Sequence, residues 1–509
     1  MNQLANVKMS ERNGFSGKEK QIQDSILYML PLIVSTLLPI LTLPIFTRIL
    51  SKEDYGVLAL AQVYAVFVSS LANFGTTISY DRNYFQYRGN REASAQLLFS
   101  TLSFVALNSL LLAVLTYLFR ASLSQLIINS PKHGDILFYA FCSNCVILLN
   151  QLYYTYFRNS ENAITFISYT ITGSLISLAL SLYFIVSLRT GVIGLIYSQL
   201  ISYGFVFCIL TYKFLAKLPL SFNRRILFES LKISYPLTPR IFFGVIDNQF
   251  DKYMISLLGT LGGVGVYRIG QQVASLVFSY MTQLENVFIP GVYKRLFDLR
   301  EKGGKEIGQY LTPFAYVSIF GAMLISLFSE EIISLLTHPS FHGAIDIVTV
   351  LCIYCGFLFF GKIIGTQLIF LKKTYMTSLM TMIGLGLNIF LNVLLIRKWG
   401  AIGAAWALLL SGVISRAIFF MLAQRYCGIK WEYKRIGAIY LLLIGSTLVT
   451  ALLRNMDLSY SIRLVVKLVS LYLYVYLGVR INILTPENFS LVKNMFRGFS
   501  LRKMERRPI

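Results

Sequence analysis

The sequence predicts an all-α integral membrane protein with about 14 transmembrane helices, and three observations support this. The chain of 509 residues is 56% hydrophobic and only 14% charged, whereas soluble domains average about 25% charged residues. Apolar stretches of about 20 residues, the length that crosses a bilayer core, recur from one end of the chain to the other. Short motifs repeat at a constant spacing, which indicates that the fold contains two related halves.

Fourteen apolar stretches are long enough to be membrane spans. The last is the least apolar, because it includes Arg463 and Lys467. The first carries three prolines, which predict a bent or interrupted helix. The predicted spans lie at 25–47, 57–80, 95–119, 136–157, 162–187, 191–212, 233–257, 264–288, 310–328, 347–371, 374–396, 400–422, 436–453 and 461–479.

The repeat has an offset of 209 residues. Residues 55–57 (YGV) match 264–266 (VGV), and residues 191–194 (GVIG) match 400–403 (GAIG). Six spans separate equivalent positions, and an even number means that both halves enter the membrane from the same side. We therefore expect two pseudo-symmetric six-helix bundles related by an axis along the membrane normal, a transporter architecture with the substrate site between the halves. Two C-terminal helices follow the repeat.

These patterns divide the chain into six segments. A cytoplasmic N-terminal tail precedes the first bundle, a basic amphipathic linker joins the two bundles, and two extra helices and a basic cytoplasmic tail complete the chain. Their predicted bounds are 1–24 (N-terminal tail), 25–212 (first bundle), 213–232 (linker), 233–422 (second bundle), 436–479 (two extra helices) and 480–509 (C-terminal tail).

The formal net charge of +23 does not indicate nucleic-acid binding. When the loops are assigned alternately to the two sides, most Lys and Arg residues fall on the side of the two termini. This is the positive-inside rule, so we expect cytoplasmic termini and contacts between the basic loops and anionic lipids.

The chain shows no signature of an enzyme. The loops are too short for a catalytic domain outside the membrane, and no nucleophile elbow or paired-carboxylate site is apparent. All cysteines except Cys427 fall within predicted spans, which does not suggest a disulfide framework. We expect no metal site and no cofactor.

Charged residues are concentrated in the seventh and eighth spans. On a helix that advances about 100° per residue, Arg240, Asp247 and Asp251 lie near one line, with Lys252 to one side. Charged side chains in a span face protein or water, so these helices predict a hydrated cavity. The eighth span continues the pattern with one polar stripe: Arg268, Gln272, Ser275, Ser279, Thr282 and Asn286.

Three further basic residues lie in later spans. Lys362, in the tenth span, either extends its ammonium group to the membrane surface or lines the cavity. Arg416 and Lys467 lie near predicted span ends, where the same extension to the surface accounts for them.

The chain resembles the lipid-linked oligosaccharide flippases of the polysaccharide-exporter family, in the superfamily that includes multidrug and toxin extruders. Four stretches carry the resemblance over nearly the whole length. They are TRILSKEDYGVLALAQ (47–62), GTTISYDR (75–82), the segment 234–272 and WGAIGAAWALLLSG (399–412).

The resemblance implies that the chain moves an undecaprenyl-diphosphate-linked glycan repeat unit across the bacterial cytoplasmic membrane for O-antigen or capsule synthesis, together with other membrane proteins of polysaccharide assembly. It places Arg82, Arg240, Asp251 and Arg268 in a central cavity. Arginine binds phosphate in a bidentate manner, so we predict substrate binding by these arginines and by Lys252, Gln272 and Lys362. Asp247 and Asp251 either bind a coupling H⁺ or Na⁺ or balance the charge of the arginines.

Two other functions fit the sequence less well. A cation-coupled multidrug antiporter has the same fold, but it is expected to present acidic residues to its cationic substrates, whereas the polar residues here are net basic. An integral-membrane glycan polymerase or ligase would need a large catalytic loop outside the membrane.

Overall fold

The computed structural model describes residues 30–87, 89–217, 221–299, 304–456 and 458–483. Within these ranges the regular structure is helical and contains no strand, which confirms the all-α prediction. The predicted N-terminal tail (1–24) and all but the first residues of the predicted C-terminal tail (480–509) lie outside the described residues.

The described residues of the first half contain eleven α-helices. The first predicted span is interrupted at Thr42, between Pro39 and Pro44, as its prolines predict. The helices are α1 (30–41), α2 (Leu43–Ile49), α3 (Lys52–Asn73), α4 (Thr76–Gln86), α5 (Arg91–Leu118), α6 (Arg120–Ile128), α7 (Gly134–Asn159), α8 (Ala163–Leu182), α9 (Val192–Lys217), α10 (Arg224–Ser234) and α11 (Thr238–Leu258).

Among the described residues of the second half there are eight further α-helices. Each of the fourteen predicted spans overlaps helical structure, although the first is interrupted at Thr42 and the second at Phe74 and Gly75. The helices are α12 (Leu261–Leu299), α13 (Gly304–Leu327), α14 (Ser329–Leu336), α15 (Ala344–Phe370), α16 (Thr374–Trp399), α17 (Ala401–Tyr426), α18 (Tyr433–Asn455) and α19 (Tyr460–Arg480).

Several helix starts follow from local capping. Ser51 accepts a hydrogen bond from the Asp54 amide at 3.1 Å, and the Asp54 carboxylate accepts one from the Ser51 amide at 3.0 Å, which makes a capping box at the start of α3. Asn90 and Asn223 cap the starts of α5 and α10. The side-chain oxygen of each accepts hydrogen bonds from backbone amides in the first turn of its helix.

Among the described residues, twelve helices are long and apolar enough to cross a membrane, and the protein is a multi-pass membrane protein. The remaining two of the fourteen predicted spans are α11 and α12. Both are long, with 21 and 39 residues, and their charged and amide side chains lower their hydropathy. The sequence predicts this polar character for these two helices.

Helix bounds repeat along the chain at the predicted offset. When 209 is added to the bounds of α9 (Val192–Lys217), the result is 401–426, the bounds of α17. The same shift carries the short helix α6 onto α14 to within one residue, and α7 onto α15 to within two. The internal repeat is therefore present in the fold itself.

One pair of equivalent segments differs. Shifted by 209, α3 and α4 together correspond to α12, which is one uninterrupted helix of 39 residues. In the first half the helix breaks at Phe74 and Gly75, whose φ angles of 51° and 69° lie in the left-handed region. Gly75 suits this conformation because it has no Cβ, and a Cβ there would lie 3.1 Å from Ile241 Cδ1.

The helices group into two compact units, Met1–Tyr253 and Met254–Ile509. The division falls within α11 and not in the predicted linker 213–232. Most of helix α10 lies within that predicted linker, and the helix packs in the first unit, where Asn83 of α4 donates a hydrogen bond to Ser230 Oγ at 2.9 Å. Its cap Asn223 bonds to Gln96 and Ser100 of α5.

The core of the first unit is rich in aromatic residues contributed by several helices. Tyr80 and Tyr153 are almost completely buried, and the ring centroids of Tyr153 and Phe214 lie 4.7 Å apart. This core anchors α4 and α10, which hold Arg82 and its neighbours at one end of the unit.

Ion pairs fasten the two extra helices, α18 and α19, to the second unit. Lys467 is only 2% exposed, and its ammonium group lies 2.7 Å from Glu331 Oε1 and 2.9 Å from Glu330 Oε2. Arg463 also pairs with Glu330, at 3.2 Å, and Arg454 pairs with Asp346. Lys467 does not extend to the membrane surface, so the sequence-based interpretation of this residue was wrong.

A tyrosine pair adds to this attachment. Tyr316 of α13 and Tyr474 of α19 stack with ring centroids 4.6 Å apart. Each hydroxyl donates to the other residue's carbonyl oxygen, Tyr474 Oη at 2.7 Å and Tyr316 Oη at 3.1 Å.

Replacing Tyr474 with Phe is expected to destabilise the protein by about 1 kcal/mol, the usual net value of one hydrogen bond. Thermal unfolding in detergent measures the change. Tyr472→Phe is the control, because Tyr472 is on the same helix but 68% exposed. Equal unfolding temperatures for the two variants would show that the hydroxyl bond contributes nothing.

Candidate functional site

The charged segment of the sequence forms the two helices α11 and α12, joined by Gly259 and Thr260. Thr260 Oγ1 accepts a hydrogen bond from the Gly263 amide at 3.0 Å and so caps α12. Gly259 and Thr260 therefore form a short connection between the two helices. Because α11 is continuous from Thr238 to Leu258, the helical register predicted for its charged residues holds.

The charged residues of α11 differ in burial. Asp251 is buried, with 4% exposure, whereas Asp247 and Lys252 are half-buried. Lys252 donates a hydrogen bond to Gln249 Oε1 at 2.9 Å. Arg240 lies in the first turn of α11, but its side chain is outside the described part of the structure. Asp251 is thus held in a fixed environment, whereas Asp247 and Lys252 are partly accessible.

Arg82 lies on α4, two turns after the break at Gly75. It is exposed and donates to Asn83 Oδ1 at 2.7 Å and to Gln86 Oε1 at 3.2 Å. Within the first unit, the start of α11 lies at this same break, because Thr238 Oγ1 bonds to the Phe74 carbonyl oxygen at 3.3 Å. The fold therefore places the helix that carries Arg240 beside the helix that carries Arg82.

Acidic residues surround this end of the first unit. Asp81 accepts hydrogen bonds from Arg158 at 3.1 Å and Asn159 at 2.8 Å. Tyr87, just after α4, donates to Glu229 of α10 at 3.1 Å. Partial burial and this carboxylate raise the pKa of the Tyr87 phenol, so the hydroxyl remains a donor at neutral pH.

The polar stripe of α12 lies on the accessible side of the helix in the second unit. Arg268 and Gln272 are half-buried, while the opposite side of the helix, including Gly270, Val273 and Val277, is buried. The remaining stripe residues are also half-buried or exposed: Ser275, Ser279, Thr282 and Asn286. A buried apolar side opposite an accessible polar side is the arrangement expected for a helix that lines a hydrated surface.

Lys362 of α15 has an acidic partner that the sequence does not reveal. Its ammonium group lies 2.8 Å from Glu285 Oε2 of α12, and the two side chains are 41% and 19% exposed. The structure therefore brings Lys362 to the helix that carries Arg268. Glu285 precedes Asn286, the last residue of the stripe, and its pairing depends on how α12 and α15 pack, so sequence spacing alone gives no signal for it.

The second unit thus presents an arginine, a lysine and several neutral polar side chains on α12 and α15. Guanidinium and ammonium groups bind phosphate oxygens through charge-assisted hydrogen bonds, and amides and hydroxyls bond to sugar hydroxyls. The set is suited to an amphiphile with an anionic head and a polar glycan.

Solved structures with the same fold are transporters. An inward closed structure of the lipid II flippase MurJ matches with a TM-score of 0.69 and 16% identity over 91% of this chain and 100% of that chain. An inward-facing multidrug resistance MATE family transporter of the MOP superfamily matches with a TM-score of 0.57 and 15% identity, over 82% of this chain and 98% of that chain. At these identities the matches establish the fold alone, and they confirm the predicted fold class.

A curated relative points to glycan assembly. The chain is 25% identical over 195 residues to the probable low-salt glycan biosynthesis flippase Agl15 of Haloferax volcanii. The match covers 38% of this chain and 41% of that relative, which is less than half of either protein.

A family model described as "Polysaccharide biosynthesis protein" matches residues 22–292. The match covers more than half of the chain and includes α3, α4, α11 and most of α12, the helices that carry most of the candidate site. It agrees with the resemblance to polysaccharide exporters on which the sequence-based prediction rests. The chain therefore belongs to the polysaccharide biosynthesis protein family.

Proposed function

We propose that this protein is a flippase that moves a lipid-linked glycan from the cytoplasmic to the outer face of the bacterial cytoplasmic membrane. The substrate is an undecaprenyl-diphosphate-linked repeat unit of an O-antigen or capsule polysaccharide. Transport proceeds by alternating access, and both termini are cytoplasmic. The family assignment and the flippase relative support this function.

One observation carries the proposal: the accessible polar stripe of α12. A diphosphate cannot cross hydrocarbon without compensation of its charge, because transfer of an ion into a low-dielectric medium costs tens of kcal/mol in the Born limit. Arg268 offers a planar fork that matches two phosphate oxygens. Gln272 and the hydroxyl residues after it offer partners to the sugars that follow the diphosphate.

Arg82, Arg240, Lys252 and Lys362 are proposed to contribute further positive charge along the route of the diphosphate. Arg82 is exposed, and within the described part of the chain it donates to the neutral side chains of Asn83 and Gln86, so its charge is available to an anion. The lipid tail remains in the bilayer throughout, which limits the desolvation cost to the head group.

Asp247 and Asp251 are proposed to balance the arginines or to bind a coupling ion. Asp251 is 4% exposed, so an ion bound there would be shielded from bulk water. Binding of a proton at this carboxylate would change the net charge of the route during each cycle. A sodium ion is the alternative coupling ion.

Reconstitution into liposomes tests the function directly. A polyprenyl-diphosphate-linked oligosaccharide is placed in the inner leaflet, and its arrival outside is measured with a membrane-impermeant glycosidase. Proton gradients, sodium gradients and no gradient form three arms. The expected result is protein-dependent movement of the lipid-linked glycan, and its absence in all three arms would contradict the proposal.

The same liposomes test the alternative function, multidrug transport, which is a candidate because a MATE family transporter has the same fold. A cationic fluorescent dye replaces the glycan lipid, with the ion gradients unchanged. Accumulation of the dye without movement of the glycan lipid would favour an antiporter. The net-basic stripe leads us to expect no dye transport.

Lys362→Ala is expected to slow glycan-lipid transport about tenfold, the equivalent of one charge-assisted hydrogen bond. Glu285→Gln removes the partner but leaves the lysine. It is expected to change stability by less than about 1 kcal/mol, since partly exposed ion pairs contribute little. If both variants slow transport equally, Lys362 acts only through its ion pair and does not bind substrate.

A further inference from the structure

The side chain of Arg416, on α17, packs closely against α15. Its guanidinium carbon lies 4.8 Å from the centroid of the Tyr354 ring, and Nη2 donates to Tyr354 Oη at 3.1 Å. A Cβ on Gly361 would lie 2.8 Å from Arg416 Nε, so the absence of a side chain there makes room for the arginine. The guanidinium is therefore held in one orientation.

Arg416 differs from three other cations of this unit in the groups that it contacts. Lys362, Arg454 and Lys467 each pair with a carboxylate, whereas no carboxylate of the described residues pairs with Arg416. Its Nη1 atom is buried and has no hydrogen-bond acceptor in that part of the chain. An unsatisfied buried donor on a charged group is costly, and an anion that reaches this position removes the cost.

A second buried donor lies close by. Phe420 is one helical turn after Arg416, and Phe360 precedes Gly361. The ring of Phe360 lies 5.0 Å from that of Trp431 and 6.3 Å from that of Phe420. Trp431 is 6% exposed, and its indole Nε1 also has no acceptor among the described residues. Trp431 thus adds a second unsatisfied donor, in an aromatic cluster that includes Phe420, one turn after Arg416 on α17.

The depth of Arg416 in α17 limits the ligand. It lies ten residues before Tyr426, the last residue of the helix, or about 15 Å at 1.5 Å per residue. The predicted span ends at 422, four residues before the helix does. The guanidinium contacts Tyr354 and Gly361, which lie near the middle of α15, and so is not directed at an end of either helix.

We propose that Arg416, stacked on Tyr354, binds the phosphoryl group of a lipid that enters the second unit. A planar guanidinium forms paired hydrogen bonds with phosphate oxygens, and the neighbouring aromatic rings accommodate the hydrocarbon next to the phosphate. The identity of this lipid as the transported carrier lipid, and not a bilayer phospholipid, rests on the proposed function.

The test measures binding and not transport. Purified, delipidated protein is offered polyprenyl diphosphate, phosphatidylglycerol or uncharged polyprenol, and bound lipid is counted by native mass spectrometry. Polyprenyl diphosphate is expected to bind wild-type protein and to bind Arg416→Gln about tenfold more weakly. Arg416→Lys is expected to bind with intermediate affinity, because a point charge replaces the planar fork.

A matched pair of glycines controls for damage to the helix. Gly361→Ala displaces the guanidinium and is expected to weaken binding about as much as Arg416→Gln. Gly365→Ala, one turn later on α15, meets no atom within 4 Å and is expected to bind like wild type. If Arg416→Gln does not fold, the glycine pair and Arg416→Lys decide the question.

The outcomes separate the proposals. Equal binding by wild type and Arg416→Gln, or by the two glycine variants, overturns the site. Arg416-dependent binding of phosphatidylglycerol but not of polyprenyl diphosphate overturns the assignment to the carrier lipid. Failure of wild-type protein to transport glycan lipid in liposomes would contradict the proposed function while leaving the binding result intact.

Discussion

Replacing Arg268 with Ala is expected to slow glycan-lipid transport by on the order of a hundredfold or more, because loss of one partner of a desolvated charge pair costs about 2–5 kcal/mol. Arg268 is half-buried on the polar stripe of α12 and stands opposite a buried apolar side. Lys at this position is expected to restore transport only in part, because it replaces two directed hydrogen bonds by a point charge. Transport in liposomes gives the rate.

Arg295→Ala is the matched control for this prediction. Arg295 is another arginine of α12, but its guanidinium lies 3.8 Å from the Tyr310 ring centroid and donates to the Gly291 carbonyl oxygen. We expect its removal to affect stability more than transport. Membrane abundance is measured for both variants, since Arg268 also has contacts within the protein. Loss of abundance with normal transport per molecule would assign Arg268 a structural role.

Replacing Lys467 with Met is expected to destabilise the protein by about 3–5 kcal/mol, the cost of breaking a buried ion pair by removing one partner. Lys467 is 2% exposed and compensates Glu330 and Glu331 together with Arg463. Without the ammonium group, two carboxylates share one guanidinium in a low-dielectric environment. Membrane abundance and the unfolding temperature in detergent are both expected to fall.

Two further variants serve as controls for this prediction. Arg480→Met removes a cation from the exposed end of the same helix and is expected to have little effect. The double variant Lys467→Met, Glu331→Gln removes one charge of each sign and is expected to recover part of the lost stability. A single variant as stable as wild type would show that the cluster is dispensable for folding.

Most of the fold is predictable because the membrane imposes it. A span must be helical and about 20 residues long, so apolar stretches identify α5, α7, α13 and α15 without knowledge of their partners. The repeat at 209 residues is likewise visible in short motifs and is confirmed by the helix bounds. The left-handed break at Phe74 and Gly75 was not predicted, because a glycine in an apolar helix is common and its conformation depends on the chain packed against it.

The candidate site was only partly predictable. Helical register alone placed Arg268 and Gln272 on one line, since both lie on one continuous helix. The pairing of Lys362 with Glu285, and the partners of Lys467, depend on which helices are neighbours, and sequence spacing does not contain that information. The contacts of Arg416 are unpredictable for the same reason, because Gly361 and Tyr354 belong to another helix.

The break at Gly75 bears on how the duplicated halves have diverged. In one copy the helix breaks at residues 74–75, whereas in the other the equivalent stretch lies in the continuous helix α12, whose 39 residues correspond to about 58 Å. A chimaera assembled from two copies of the second half would therefore keep every apolar span of that half and lack the break at Phe74 and Gly75. Such a tandem duplicate would insert into a bilayer but would lack an equivalent of Arg82. At an offset of 209 residues, the matching position in the second half is 291, which is a glycine.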